Sequence, residues 1–179
     1  RSLNFLLNNY DQVREVWPII PPHDNSMPHA PWWHCEDNFN HDWTAYLDNP
    51  RPDVLACLYL FPCAKSDALR IKVSHSVGAR LHTNEFAPEM HKLICYLRLH
   101  AVPELPQVLK SELDRILPDW ITATVEHDPT KWRGYGLRPL DVAPTADSSW
   151  AKLLSTDIDA NLDFLIESQM EDGSWHPHW

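Results

Sequence analysis

The chain has 179 residues, 44% of them hydrophobic, and its 25 acidic residues outnumber 15 lysines and arginines to give a formal net charge of −10. That length and apolar fraction suffice for one domain with a real core. The negative charge argues against nucleic acid or an anionic membrane as principal partner, since both recruit basic surfaces, and no run reaches the roughly 20 apolar residues that span a bilayer.

In chain order, Arg1 to Trp17 opens with a helical pattern, and residues 18–52 follow as a long irregular segment rich in Pro, His, Asn, Asp and Trp. Loops of that length inside compact domains are uncommon and often functional. Residues 53–126 read as helical hairpins. The run Val54 to Phe61 predicts a buried helix over 53–61, stopped by Pro62. Leu69, Val73, Val77 and Leu81 predict a helix over 66–82, and Phe86, Met90, Leu93, Ile94 and Leu97 predict another over 85–100. A fourth is expected over 106–125, with Pro118 kinking or splitting it. Residues 127–148 form a second loop. Trp150, Leu153, Leu154, Ile158, Leu162, Leu165 and Ile166 then define the stripe of a last helix over 149–170. No run alternates long enough to be a strand, so the fold class is all-α.

Four cysteines, Cys35, Cys57, Cys63 and Cys95, show no CxxC spacing, and two lie in or beside an apolar helix pattern, where cysteine is ordinarily a small buried hydrophobe. Free thiols and a cytoplasmic setting are the expectation. Arg1 falls within a helical pattern and Trp179 closes a His-Pro-His-Trp segment, so the chain is read as one domain over 1–179 that is itself a fragment of a longer protein.

The most informative string is Phe164-Leu165, then Gln169, then Gly173-Ser174-Trp175. Phe164 and Leu165 belong to the buried stripe. Gln169 stands near the helix end, where its amide can reach orphaned carbonyls. Asp172-Gly173 turns the chain because glycine adopts positive φ without steric cost, and Trp175 returns as a flat cover. This string resembles the QW repeat of terpenoid cyclases such as squalene–hopene cyclase, and the related repeats of protein prenyltransferase β-subunits. The family's basic-small opening is only half kept, by Asp159-Ala160. A degenerate second copy opens the chain at Arg1-Ser2-Leu3-Asn4-Phe5-Leu6, with Tyr10 in the glutamine's place, no glycine, and Trp17 one residue late.

The resemblance implies an α/α toroid, or part of one, that binds an apolar, isoprenoid-type ligand against aromatic side chains. Trp32, Trp33, Trp43, Trp132 and Tyr135 are the aromatic residues of the irregular segments that would line such a cavity. The rival reading is a helical-repeat module that binds another protein and whose tryptophans are structural; a homo-oligomer is compatible with either. The superfamily's protonating Asp-x-Asp-Asp motif has only Asp157-Ile158-Asp159-Ala160 as a partial match, on what should be a helix surface. A third reading, a hydrolase or lyase using His29, His34 or Glu36, has no motif behind it. No cofactor is expected. Metal-ligand types occur at His34-Cys35-Glu36 with His41-Asp42, and at His176 and His178, but no spacing completes a site. His75 and His82 read as structural. The motifs GxSxG, GxxxxGK[ST] and GxGxxG are absent.

Overall fold

A computed structural model describes residues 2–20, 25–31, 34, 43–83 and 89–177. Seven α-helices and no strand occur among them: α1 (Ser2–Asn8), α2 (Arg51–Leu60), α3 (Asp67–Thr83), α4 (Met90–His100), α5 (Gln107–Thr124), α6 (Pro139–Val142) and α7 (Ser155–Ser168). The all-α expectation holds. Two compact units result, one comprising Arg1–Ala87 with Ile94–Arg115, the other Pro88–Leu93 with Ile116–Trp179.

In the first unit α2 packs on α3 through the predicted apolar spacing, burying Leu55, Leu58, Val73, Val77 and Leu81. Two expectations for α2 fail. Leu60 and Phe61 are exposed, and Cys57 is exposed rather than buried, because Leu55, Ala56 and Leu58 take the inward line. Cys95 is buried and its thiol donates to the Asn49 amide oxygen at 3.5 Å, and Cys57, Cys63 and Cys95 are not in disulfides. Asp48, 3% exposed, is matched by charge and hydrogen bonds: Arg80 donates to both its oxygens at 3.2 and 3.0 Å, and the Tyr96 hydroxyl donates at 2.8 Å. A buried carboxylate is tolerable only when its lone pairs are occupied in this way. The expected irregular segment over 18–52 ends in helical structure: Trp43–Leu47 is a 3-10 helix, and α2 begins at Arg51. There Pro52 lies in the first turn, which needs no backbone donor.

The weak N-terminal repeat is a structural copy of the strong C-terminal one. The Trp175 indole donates to the Leu165 carbonyl at 2.7 Å, and the Trp17 indole donates to the Leu6 carbonyl, also at 2.7 Å. Each carbonyl belongs to the second residue of a Phe-Leu pair near a helix end, so each indole satisfies a carbonyl at a helix C-terminus. Two backbone bonds recur, each spanning one residue more in the N-terminal copy, whereas the Gln169 amide bond to the Gly173 carbonyl has no counterpart at Tyr10, whose buried hydroxyl has no partner among the described residues. The Met170 N–H donates to Ser174 and the Asp11 N–H to Val16; the Gly173 N–H donates to Met170 and the Glu15 N–H to Asp11. In both turns the residue two before the tryptophan has positive φ, 85° at Gly173 and 59° at Glu15. The missing glycine is thus replaced by a strained Glu15, whose carboxylate is tied to Lys72 at 3.1 Å. Tyr10, in the glutamine's place, packs on Trp17 with ring centroids 4.6 Å apart.

In the second unit Pro118 does not split its helix; α5 runs unbroken through it, and the Thr122 hydroxyl donates to the Pro118 carbonyl at 2.9 Å. The expected 127–148 loop contains two short helices. Asp128 caps Pro129–Lys131 by accepting from the Thr130 N–H at 3.0 Å, and Asp141 accepts from the Arg138 N–H at 2.8 Å at the start of α6. The last helix begins at Ser155 rather than 149. Residues 149–154 are turns, and just before them Ser148 accepts from the Thr145 N–H at 3.1 Å, a local bond that competes with helix formation.

The phase of α7 also differs from expectation. Its inward line is Leu154, Ile158, Asn161 and Leu165, whereas Leu162 (45%) and Ile166 (72%) are exposed. Asn161 is fully buried because its amide oxygen accepts the Leu140 N–H at 3.1 Å, fixing α6 on α7. A backbone donor that must be satisfied has outranked the apolar stripe.

Candidate functional site

The strongest site lies in the second unit, where the Gly173 turn and the residue 127–148 segment face each other. Two tethers build it. Gln169 donates its amide to the Gly173 carbonyl at 2.9 Å, closing the turn on itself, and Trp175 is pinned to Leu165. On the opposite wall Trp132, 1% exposed, donates its indole to the Glu126 carbonyl at 2.6 Å and meets Phe164 edge-on, with centroids 5.5 Å apart at 73°. Edge-to-face contact is the geometry that aromatic quadrupoles favour.

Trp132, Phe164, Leu165, Trp175 and Pro177 thereby form the apolar wall of a cleft of about 290 Å³. Its polar wall is Arg133, Arg138, Ser168 and His176. The Arg133 guanidinium lies 5.9 Å from the Phe164 ring centroid, and Arg138 is 3.4 Å from Asp141. In a chain of net charge −10, a cleft with two arginines and no carboxylate among its lining residues is electrostatically set apart. It can hold an apolar body against the rings and a negative or strongly polar group at the arginines.

A second cleft, about 440 Å³, shares Trp132 and Arg138 with the first and is lined also by Glu89, Thr124, Glu126, Lys131 and Tyr135. Tyr135 is bracketed by Gly134 and Gly136, and a side chain at Gly136 would meet nothing within 4 Å. The Tyr135 oxygen stands 2.9 Å from Nε2 of His91, whose Nδ1 lies 2.5 Å from a Glu89 carboxylate oxygen. Glu89 is held further by the backbone N–H groups of His91 (2.9 Å) and Lys92 (3.0 Å). Burial opposes its charge, but these bonds and His91 outweigh burial and leave its carboxyl below the usual range.

Of the residues singled out in the sequence, Trp132 joins the QW-like residues Phe164, Leu165 and Trp175 in one cleft, and Tyr135 lines the other. Trp43 is half-buried in the first unit. Trp32, Trp33, Glu36 and His178 lie outside the described residues. His29 and His34 do meet, with Nε2 of one 3.1 Å from Nδ1 of the other and rings stacked at 5.3 Å. The 2.5 Å approach of His29 Nδ1 to the Met27 carbonyl makes that nitrogen the donor, so in the neutral pair His34 donates to His29. Asp159 is exposed, whereas Asp157 is half-buried and accepts from His127 Nδ1 at 2.9 Å, while His127 Nε2 donates to the Thr122 carbonyl at 3.1 Å. Both ring nitrogens therefore face acceptors. Burial disfavours the imidazolium, but the bonds to Asp157 and Thr122 prevail and raise the His127 pKa. Among the described residues no three or more His, Cys, Asp or Glu side chains converge as a metal site.

The residues that sequence reasoning missed are Arg133, Arg138, Glu89, His91 and His127. Arg138 carried one signal, an Asp three positions later and a Pro immediately after it, which marks a helix start. No described helix is long and apolar enough to cross a membrane. The chain matches no protein-family model, no curated protein and no solved structure.

Proposed function

We propose that this is a terpenoid-cyclase- or prenyltransferase-like α/α-toroid protein, or part of one, whose second unit binds an apolar small molecule of isoprenoid type. The observation that carries the reading is the convergence of Trp132, Phe164 and Trp175 on one cleft, with Trp175 locked there by the QW-like turn. At about 290 Å³ the cleft sits at the small end of ligand sites, about 300–1,000 Å³. It therefore takes a segment of a branched chain rather than a whole polycycle. Arg133, Arg138 and His176 favour a ligand whose polar end carries negative charge or strong acceptors.

Native mass spectrometry of the full chain with added farnesol tests this. A one-to-one complex, weakened in Phe164→Ala, supports the reading; farnesol binding indifferent to that substitution rules out this cleft. The alternative, a non-catalytic helical-repeat module for protein interaction, is favoured by the exposure of Leu162 and Ile166 on α7. It expects no small-molecule complex, and loss of a protein partner in Ile166→Lys.

A further inference from the structure

We propose that Glu89, His91 and Tyr135 form a proton relay that makes the Tyr135 hydroxyl a nucleophile toward the acyl group of an ester held in the 440 Å³ cleft. This inference concerns a different cleft from the ligand site above and stands independently of that reading.

The direction of the relay follows from donor and acceptor inventory. A carboxylate only accepts, so the 2.5 Å contact between Glu89 and His91 places the proton on Nδ1. The neutral ring then presents Nε2 as a lone pair, 2.9 Å from the Tyr135 oxygen, so the phenol donates. Hydroxyl, imidazole and an orienting carboxylate in series are the arrangement by which a weak nucleophile is activated. Glu89 is fixed for the task because two backbone N–H groups at the start of α4 hold the same carboxylate.

Tyr135 is also accessible. It is 65% exposed, flanked by two glycines, and lines the cleft together with Trp132 and Leu137 as apolar wall and Lys131 and Arg138 as cations. The buried Thr124 hydroxyl on that wall has no partner among the described residues, leaving one polar group for a ligand to satisfy.

The chemistry balances with water alone. The Tyr135 oxygen adds to the ester carbonyl carbon as its proton passes to His91 Nε2, and Glu89 stabilises the imidazolium. The proton then goes to the departing alkoxide, leaving an acyl-tyrosine and an alcohol. Water adds to the acyl-tyrosine, giving its proton to His91 Nε2, from which it returns to the Tyr135 oxygen as the carboxylic acid departs. Lys131, 3.7 Å from Glu126 and 3.8 Å from Asp128, and Arg138, 3.4 Å from Asp141, are the cations that line the cleft in which the oxyanion develops. Tyr135 and His91 touch the reacting atoms and are the catalytic residues; Glu89 acts through His91 and is a positioning residue.

The test treats the full chain with an arylsulfonyl fluoride, which replaces its S–F bond with an S–O bond to an activated hydroxyl and releases fluoride as the proton moves to His91. Peptide mapping should place the label on Tyr135 ahead of the chain's other four tyrosines. His91→Ala should slow labelling by about a hundredfold, the lower range for a lost general base, with circular dichroism unchanged. Glu89→Gln, whose amide oxygen can keep one of the two backbone bonds at the start of α4, should also slow it and keeps the test decisive if His91→Ala unfolds. Labelling of Tyr135 at the wild-type rate in both variants, or preferential labelling elsewhere, overturns the proposal.

Discussion

Replacing each capping tryptophan with phenylalanine should separate what the two copies of the turn contribute. Trp17 and Trp175 make the same indole bond of 2.7 Å to a leucine carbonyl, but Trp17 is 3% exposed and Trp175 is 48% exposed. At Trp175 water can replace the indole N–H, so Trp175→Phe loses only the net worth of a hydrogen bond, about 0.5–1 kcal/mol. At Trp17 the abandoned Leu6 carbonyl is screened from water, which costs about 1–3 kcal/mol. The smaller ring also leaves a void beside Tyr10, adding about 1 kcal/mol. Trp17→Phe is therefore expected to cost about 2–4 kcal/mol. For a chain of this length that corresponds to a fall in Tm of roughly 5–15 °C, against a few degrees for Trp175→Phe. Thermal melts followed by far-ultraviolet circular dichroism measure both. Equal effects, or a near-neutral Trp17→Phe, would refute the claim that burial sets the value of an identical bond.

Other outcomes follow from the same geometry. Gly173→Ala forces a side chain into φ 85° and should destabilise the second unit by about 1–2 kcal/mol in urea titration. At the other turn Glu15→Asn should be neutral or better, because asparagine tolerates positive φ and offsets the lost Lys72 contact. Because the His127 pKa is raised, its pairing with Asp157 stabilises the fold below the unfolded imidazole range, about 6.5, and is lost as pH rises through the folded value. Asp157→Asn should flatten that dependence in melts between pH 5 and 9; His127 is partly exposed, so the change is under about 1 kcal/mol. Ile166→Lys should leave stability within about 0.5 kcal/mol, since the side chain is already in water.

The parts of the fold legible in the sequence are those whose chemistry is local. Helices α2 to α5 are legible because apolar residues recur over many positions and prolines separate several of the segments. The C-terminal turn was visible because a positive-φ glycine and a returning tryptophan need particular residues at fixed separations. Its N-terminal copy survived the loss of glycine and a one-residue insertion, and was readable only by aligning the Phe-Leu pairs. The phase of α7 is not legible from its apolar stripe, because Asn161 turns inward to satisfy Leu140, which lies 21 residues away. The candidate site was half legible. Trp132 stood out as an aromatic residue in a loop, but nothing local announced that Arg133 and Arg138 would share its cleft. His91 and Tyr135 are 44 residues apart and His127 and Asp157 are 30 apart, so only tertiary packing joins them.

The most direct test of the account is a titration of farnesol into the full chain, followed by tryptophan fluorescence and repeated with Phe164→Ala and Trp175→Phe. The account predicts a saturable one-to-one change in the wild type, weakened at least severalfold in Phe164→Ala and by less in Trp175→Phe, which keeps an aromatic ring. Absence of saturable binding, or affinity untouched by either substitution, would contradict the claim that Trp132, Phe164 and Trp175 form a ligand site.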